Sequence, residues 1–266
     1  MQLTLINFSA KHSLKCLIQK VIDFIPLKLC LNLQYILLKR LEGVIPQHVY
    51  LPFVDELYAA LLRENRQNIF QKYRVAKDLL VNIGSGTTGK PGWVNVDLFA
   101  APGVNCVYDC RRSLPFANNS VQGIFTEHFF EHIDYVEEVP DFLAECYRVL
   151  QPGGVLRIIV PDIEKYLKAY CQPGWEALSK VRPLDRDRTD FYFHHKYNTK
   201  IELINFVFRQ GYEHKYAYDF ATLEFLLYKY GFSKVQKQEF GKSMMDKLCL
   251  DQQIRASESL YVEAVK

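Results

Sequence analysis

The sequence has little that would point to a disulfide framework, a cysteine-based metal site or a nucleic-acid partner. Its seven cysteines are scattered through 266 residues, and only Cys106 and Cys110 lie close together. No second pair of cysteines or histidines follows them at the spacing of a zinc site, so we predict reduced cysteines and no metal. The formal net charge is only +3, and aspartates interrupt the basic segment 182–200, which predicts no nucleic-acid partner.

Long apolar runs are also missing. The longest uncharged stretch near the N-terminus, Leu29–Leu38, contains Asn32 and Gln34 and is too short to span a bilayer. Met1–Ala10 lacks the leading positive charges and the cleavage site of a signal peptide, which predicts a cytoplasmic protein. Lysines among Leu and Ile in the first forty residues would suit a helix on a membrane surface, and a helix that covers the core is the alternative.

The composition is that of a folded protein, with 49% hydrophobic and 24% charged residues. The length suffices for one large α/β domain with an accessory segment. We predict a helical N-terminal extension over residues 1–76. Pro26 divides its first part, and Phe53–Val75 carries apolar residues at helical spacing.

From Leu79 onward, short apolar runs alternate with helical patterns, which predicts a mainly parallel sheet with helices on both faces. A loop without a helix separates the last two strands, so one of them is expected to be antiparallel. The predicted strands are Leu79–Ile83, Trp93–Leu98, Val104–Tyr108, Val121–Thr126, Val155–Val160, Ser233–Phe240 and Ser257–Val265, and the clearest predicted helices are Val136–Leu150 and Phe220–Tyr230.

The connection between the first two predicted strands is unusually short. It holds four glycines and a proline between Ile83 and Trp93, whereas a crossover between parallel strands usually takes a dozen or more residues and a helix. About nine extended residues reach roughly 30 Å, which is enough to return along one strand. We therefore predict no full helix in this connection.

Several residues at the ends of predicted strands point to a ligand site, because ligands of open α/β sheets bind beyond the carboxyl ends of the strands. The Gly84–Gly86 turn allows close approach of the backbone to a ligand. Asp97 is placed to accept hydrogen bonds from ribose hydroxyls, and Asp109 to contact an adenine amino group. Glu127 and His128 end the fourth strand. Taken singly, each could instead be a tight turn, a surface acid or a structural histidine.

The ordered series is more specific than its members. Val81–Gly86, Gly92–Asp97, Leu114–Ser120, Glu127–His132 and Glu145–Gly154, the last including Arg-Val-Leu-Gln-Pro-Gly-Gly, together resemble the class I S-adenosylmethionine-dependent methyltransferases of the type 11 group. The resemblance covers Leu79–Lys266 and implies a Rossmann-like seven-stranded sheet with one antiparallel strand, over a domain of residues 77–266.

The resemblance also implies the cofactor, S-adenosyl-L-methionine, and the residues that contact it. These are Gly84, Ser85, Gly86, Asp97 and Asp109, with Glu127 and His128 closing the pocket. Two positions depart from the family pattern. Asn82 stands where an acid is common, and the third glycine is displaced to Gly89, as the shortened crossover requires.

Methyl transfer to a hydroxyl needs a base, and His128 is the first candidate and Asp162 the second. An insertion at about 163–218 is rich in aromatic and basic residues. We interpret it as a lid over the acceptor, with His194 or His195 near the transferred methyl, and a flap packed on the sheet is the alternative. These features favour a methyltransferase acting on a small-molecule or glycan-type acceptor. The alternatives are a nicotinamide-dependent oxidoreductase and a non-catalytic binding protein, and the oligomeric state is open.

Overall fold

The computed structural model describes residues 66–266, of which Ile69–Lys266 form one compact unit. The predicted helices of the first 65 residues, including the membrane-surface helix, lie outside the described residues. The description begins in a helical segment that ends at Tyr73, and both Ile69 and Tyr73 are buried in the core. No helix in this part of the chain is long and apolar enough to cross a membrane.

The seven predicted strands form a single sheet in the order β3-β2-β1-β4-β5-β7-β6. Strand β7 pairs antiparallel with both β5 and β6, and the remaining pairs are parallel, which confirms the predicted sheet. The strands are β1 (Leu79–Ile83), β2 (Val94–Asp97), β3 (Cys106–Val107), β4 (Val121–Glu127), β5 (Leu150–Pro161), β6 (Ser233–Gln238) and β7 (Ser259–Val265).

Five α-helices are described after the first strand. Two of them, α1 and α5, pack on one face of the sheet, where alternate strand residues such as Ile124, Ile158 and Val262 are fully buried. The other three lie in the insertion. The bounds are α1 (Val139–Val149), α2 (Ile163–Tyr170), α3 (Glu176–Val181), α4 (Lys200–Arg209) and α5 (Phe220–Lys229).

The opposite face of the sheet is covered by a loop in the described residues. Its apolar cluster, which includes Phe125, Ile159 and Tyr261, takes no residue from an α-helix of the described chain. The loop between β6 and β7 supplies the cover, with Leu248 fully buried against these strands. Within residues 66–266, this loop therefore covers the cluster where the short crossovers between β1, β2 and β3 carry no α-helix.

The insertion between β5 and α5 has its own small core, in which Tyr166, Tyr197 and Leu203 are fully buried. A buried ion-pair network joins this core to the start of β7. Arg182 donates to Asp190 within the insertion and to Glu258 next to β7. The insertion is therefore anchored to the strand that borders the carboxyl end of β5.

Candidate active site

The glycine turn after β1 is held against the end of β2. The backbone N–H groups of Gly84 and Ser85 donate to the Val96 carbonyl at 2.9 and 3.1 Å, and the N–H of Gly86 donates to Asp97 Oδ2 at 2.8 Å. Gly84 and Gly86 both adopt positive φ, +69° and +48°, which glycine tolerates at little cost. The turn and Asp97 thus form one unit at the carboxyl edge of the sheet.

The Asp97 carboxylate retains capacity for a ligand. Its Oδ1 accepts from the N–H of Phe99 at 2.9 Å, so each oxygen holds one backbone donor and keeps further lone pairs. A Cβ added at Gly86 would meet no atom of residues 66–266 within 4 Å, so these residues leave that side of the turn open. These features fit a ribose-containing cofactor approaching the turn.

The structure has no helix in the short crossover between β1 and β2, as predicted. Asparagine side chains hold this connection instead. Asn95 accepts from the N–H of Lys90 at 2.8 Å and donates to the Lys90 carbonyl at 2.9 Å. Asn82 donates to Asn95 at 3.4 Å, and Asn105 accepts from the N–H of Asn95 at 2.9 Å. Asn82, which departs from the family pattern, therefore holds the crossover from a buried position.

Asp109 follows β3 and is engaged by a neighbour. Arg111 donates from Nε and one terminal nitrogen to the two carboxylate oxygens, both at 2.8 Å. Burial alone would raise the pKa of Asp109, but the Arg111 guanidinium and backbone N–H outweigh it and lower the pKa. The adenine contact predicted for Asp109 would have to use lone pairs that this ion pair leaves free, and it stays a prediction.

The loop between β6 and β7 binds the two residues that end β4. Glu127 is buried and accepts from the backbone N–H and the side-chain amide of Gln252, at 3.0 and 2.9 Å. His128 adopts a left-handed φ of +52°, and its Nε2 lies 2.9 Å from Ser259 Oγ. The Nη1 atom of Arg255 lies 3.4 Å from His128 Nδ1. Sequence reasoning missed these partners because they lie more than 120 residues away, Gln252 and Arg255 in a loop without periodicity and Ser259 at the start of β7.

A cluster of histidines surrounds one buried carboxylate just after β4. Glu131 is 2% exposed, and its Oε1 lies 3.3 Å from His128 Nδ1 and 3.9 Å from His214 Nε2. The rings of His132 and His214 pack edge to face with centroids 4.7 Å apart. Of these residues only His128 is a predicted site residue. His214 comes from the end of the insertion and was not predicted to be near β4.

The charge state of this cluster follows from its surroundings. Burial would raise the pKa of Glu131, but interactions with His128, His132 and His214 outweigh it and lower the pKa to about 2. Burial lowers the pKa of His214 by more than the attraction of Glu131 raises it. An ionised Glu131 beside a neutral His214 is therefore the state at neutral pH.

Asp162, the second candidate base, caps a helix. It is 1% exposed and accepts from the N–H groups of Glu164 and Lys165, at 3.1 and 3.4 Å, in the first turn of α2. A carboxylate at an N-cap satisfies backbone donors that the helix leaves unpaired. This role accounts for an acid at the end of β5, and the same carboxylate lies 3.6 Å from Lys237 Nζ in an ion pair.

His194 and His195 are not brought to the histidine cluster around Glu131. Both are exposed, and His195 stacks on Phe206 at 5.5 Å, in an open groove of about 390 Å³ along α4. This groove follows Ile201, Asn205 and Arg209 on the outer side of the helix. Residues that face inward on α4, such as Val207, border the space beside Glu131 instead. A role for either histidine at the transferred methyl stays a prediction.

One match to known proteins covers the segment from the end of β2 into β5. A family model described as a methyltransferase domain matches residues 97–158. An 81-residue stretch is 38% identical to the ubiquinone/menaquinone biosynthesis C-methyltransferase UbiE of Dinoroseobacter shibae, over 28% of this chain and 31% of that protein. The chain thus matches about a third of the length of this curated relative.

Solved structures with related folds include a SAM-dependent methyltransferase from Archaeoglobus fulgidus, 18% identical, with a TM-score of 0.41 over 79% of this chain and 94% of that one. Another is the phosphoethanolamine N-methyltransferase 2 of Haemonchus contortus, 14% identical, with a TM-score of 0.40 over 76% and 52% of the two chains.

The family-model match and the curated relative confirm the resemblance to the S-adenosylmethionine-dependent methyltransferase class that was predicted from the sequence, and the family model locates it over residues 97–158. S-adenosyl-L-methionine is the cofactor of this class. The matched residues begin at Asp97 and extend into β5, so they include the ends of β2 and β4.

Proposed function

We propose that this protein transfers a methyl group from S-adenosyl-L-methionine to a small-molecule or glycan-type acceptor. The observation that carries the proposal is the unit formed by the Gly84–Gly86 turn and Asp97, which joins the ends of β1 and β2 through the hydrogen bond from Gly86 to the carboxylate. The sheet order changes direction between β1 and β4, and ligands of such sheets bind at that point.

The residues present fit the cofactor. Asp97 would accept hydrogen bonds from the ribose hydroxyls, and the open side of Gly86 would admit the cofactor to backbone contact. Ser85 Oγ is buried and has no hydrogen-bond partner among the described residues, so it has a donor to offer. When bound, the cofactor supplies a methyl group already activated on a sulfonium, so the protein's main task is to align the acceptor.

His128 is the residue we propose as the base for a hydroxyl acceptor. It directly follows β4, which pairs with β1, and its Nδ1 lies 3.3 Å from Glu131 and its Nε2 2.9 Å from Ser259 Oγ. With Nδ1–H directed at the ionised Glu131, the Nε2 lone pair would take the proton of an acceptor that replaces Ser259 Oγ beside it, and Glu131 would stabilise the resulting imidazolium. The rings of Tyr135 and Tyr216 stack with centroids 4.1 Å apart, and the Tyr216 N–H donates to the Glu131 carbonyl, so this pair is the surface we propose for the acceptor.

Replacing Asp97 with alanine is expected to weaken cofactor binding by about tenfold or more, because each hydrogen bond to a charged group contributes about 1.5–3 kcal/mol. Isothermal titration calorimetry with S-adenosylhomocysteine measures this directly. Asp97→Asn keeps an acceptor for the Gly86 N–H, so it is expected to fold if the alanine variant does not, and to show a smaller loss.

Asp185→Ala is the matched control. Asp185 also accepts two backbone N–H groups, at 2.8 Å each, but it lies in an exposed turn of the insertion. Its variant is expected to bind the cofactor like the unaltered protein. Unchanged affinity in a folded Asp97→Ala protein would remove Asp97 from the site. Tight binding of a nicotinamide dinucleotide in place of S-adenosylhomocysteine would favour the oxidoreductase alternative, and cofactor binding without turnover on any screened acceptor would favour a binding protein.

A further inference from the structure

The carboxylate of Glu131 is buried without the hydrogen bonds that a buried charge requires. Both oxygens are inaccessible to water, and neither has a hydrogen-bond partner of good geometry among the described residues. The His128 Nδ1 contact at 3.3 Å is an attraction rather than an aligned bond. Buried charges in proteins are paired and hydrogen-bonded or they coordinate metals, so this carboxylate calls for a further partner.

Two imidazoles present nitrogen lone pairs to the same place. His214 Nδ1 lies 2.7 Å from the Val207 carbonyl oxygen, which can only accept, so Nδ1 carries the proton and Nε2 is left with a lone pair. A metal-bound histidine characteristically donates its other N–H to a backbone carbonyl or a carboxylate. One ligand atom from each of Glu131, His132 and His214 can be chosen so that all lie within 4.8 Å of one another.

A small cavity adjoins these groups. It measures about 10 Å³ and is lined by Glu131, Val207, His214 and Tyr218, with four further residues of the β5 edge and the insertion. That is about the volume of one water-sized sphere. The Tyr218 hydroxyl is also buried with no hydrogen-bond partner in the described chain. The lining is mainly apolar, with unsatisfied polar atoms of Glu131 and Tyr218 at its edge, and the space is large enough for one small ion.

We propose that Glu131, His132 and His214 bind one divalent transition-metal ion, with Zn²⁺ as the best match to the donors. Two imidazole nitrogens and one carboxylate oxygen form a ligand set that zinc uses at sites with an open position. Adjacent ligands of a tetrahedral zinc lie about 3.3 Å apart when each bond is about 2.0–2.1 Å long. Side-chain shifts of about 1 Å would bring the three atoms to that separation.

The site joins two distant parts of the chain. Glu131 and His132 lie in the turn after β4, and His214 lies at the C-terminal end of the insertion, whose next residues, Lys215 and Tyr216, donate to the Glu131 carbonyl at 2.8 and 3.3 Å. A metal held there would fix the end of the insertion to the edge of the sheet. The three ligands are none of the predicted cofactor contacts, although Glu131 also lies 3.3 Å from His128, so zinc binding and cofactor binding are measured separately.

The test measures zinc in the full-length protein after treatment with a chelator and extensive dialysis. Titration with Zn²⁺ alone, followed by calorimetry and elemental analysis, is expected to give one equivalent per chain. Saturating zinc is expected to raise the midpoint of thermal unfolding by about 5 °C or more, since it binds only the folded state. Co²⁺ in the same site is expected to give visible absorption bands.

Variants assign the ligands. Glu131→Gln keeps the size of the side chain and is expected to fold. Each of the two single variants, Glu131→Gln and His214→Ala, is expected to weaken zinc binding at least a hundredfold and to abolish the cobalt spectrum. His194→Ala removes an exposed histidine outside the cluster and is expected to keep one equivalent. Failure of the chelated protein to bind stoichiometric Zn²⁺ would overturn the proposal, and so would retention of the site by a folded Glu131→Gln variant. A protein that fails to bind the cofactor but still binds one equivalent of zinc would contradict the proposed function and leave the metal site standing, so the two proposals can be distinguished.

Discussion

Replacing Arg157 with methionine is expected to lower the free energy of unfolding by about 3–5 kcal/mol, because the change leaves two carboxylates buried without their cation. Arg157 donates to both oxygens of Asp251, at 3.0 and 2.6 Å, and to Glu263 at 2.7 Å. All three side chains are at most 1% exposed. Urea or guanidinium unfolding at pH 7, followed by circular dichroism, measures the loss.

The matched control is Arg112→Met. Arg112 is 62% exposed and lies 3.8 Å from Glu137, a separation at which exposed ion pairs contribute little. Its replacement is expected to change stability by no more than about 0.5 kcal/mol. A loss of less than about 1 kcal/mol for Arg157→Met would show that water reaches Asp251 and Glu263 and that the ion pairs do not hold the β6–β7 loop on the sheet.

The sheet could be predicted from the sequence because its signals are local. Apolar runs such as Leu79–Ile83 end at glycines or acids, and each run is long enough for one buried strand. The absence of a helix between β1 and β2 could be predicted because the connecting segment is too short to contain one. Asp97 was placed correctly at the end of β2, since a residue's position on a strand fixes the edge at which it lies.

The cover of the second sheet face could not be predicted in this way. Arg157 lies in an apolar strand, where a charged residue gives no sign of its partners, and these come from a loop and a strand about 100 residues later. The same loop carries Gln252 to Glu127. Loop residues show no periodicity, so nothing in the sequence indicated that this segment would take the place of helices.

The histidine cluster was missed for a related reason. His132 and His214 are 82 positions apart, and the patterns used for metal sites require ligands in closely spaced pairs. Only the return of the insertion to the Glu131 carbonyl brings His214 to the sheet edge. Asp162 was predicted as a base from its place at the end of a strand. The structure shows it capping the first turn of α2, and its part in catalysis stays a prediction.

Gly84→Ala is expected to destabilise the protein by about 2–4 kcal/mol, from the strain of a left-handed alanine and from overpacking. The new Cβ would lie 2.6 Å from the Cβ of Phe129, an atom that cannot rotate away. Thermal or denaturant unfolding gives the value. The cofactor affinity of the protein that remains folded is a second measurement, and it is expected to fall because the turn must shift away from Phe129.

Gly86→Ala is the matched partner, two residues along the same turn. Its φ of +48° carries the same kind of strain, about 1–2 kcal/mol, but its Cβ would meet no protein atom within 4 Å. The stability loss is therefore expected to be the smaller of the two. If the open side of Gly86 receives the cofactor, the added methyl occupies that space, and affinity for S-adenosylhomocysteine is expected to fall about tenfold or more. Equal stability losses would contradict the contact with Phe129, and unchanged affinity in Gly86→Ala would place the cofactor elsewhere.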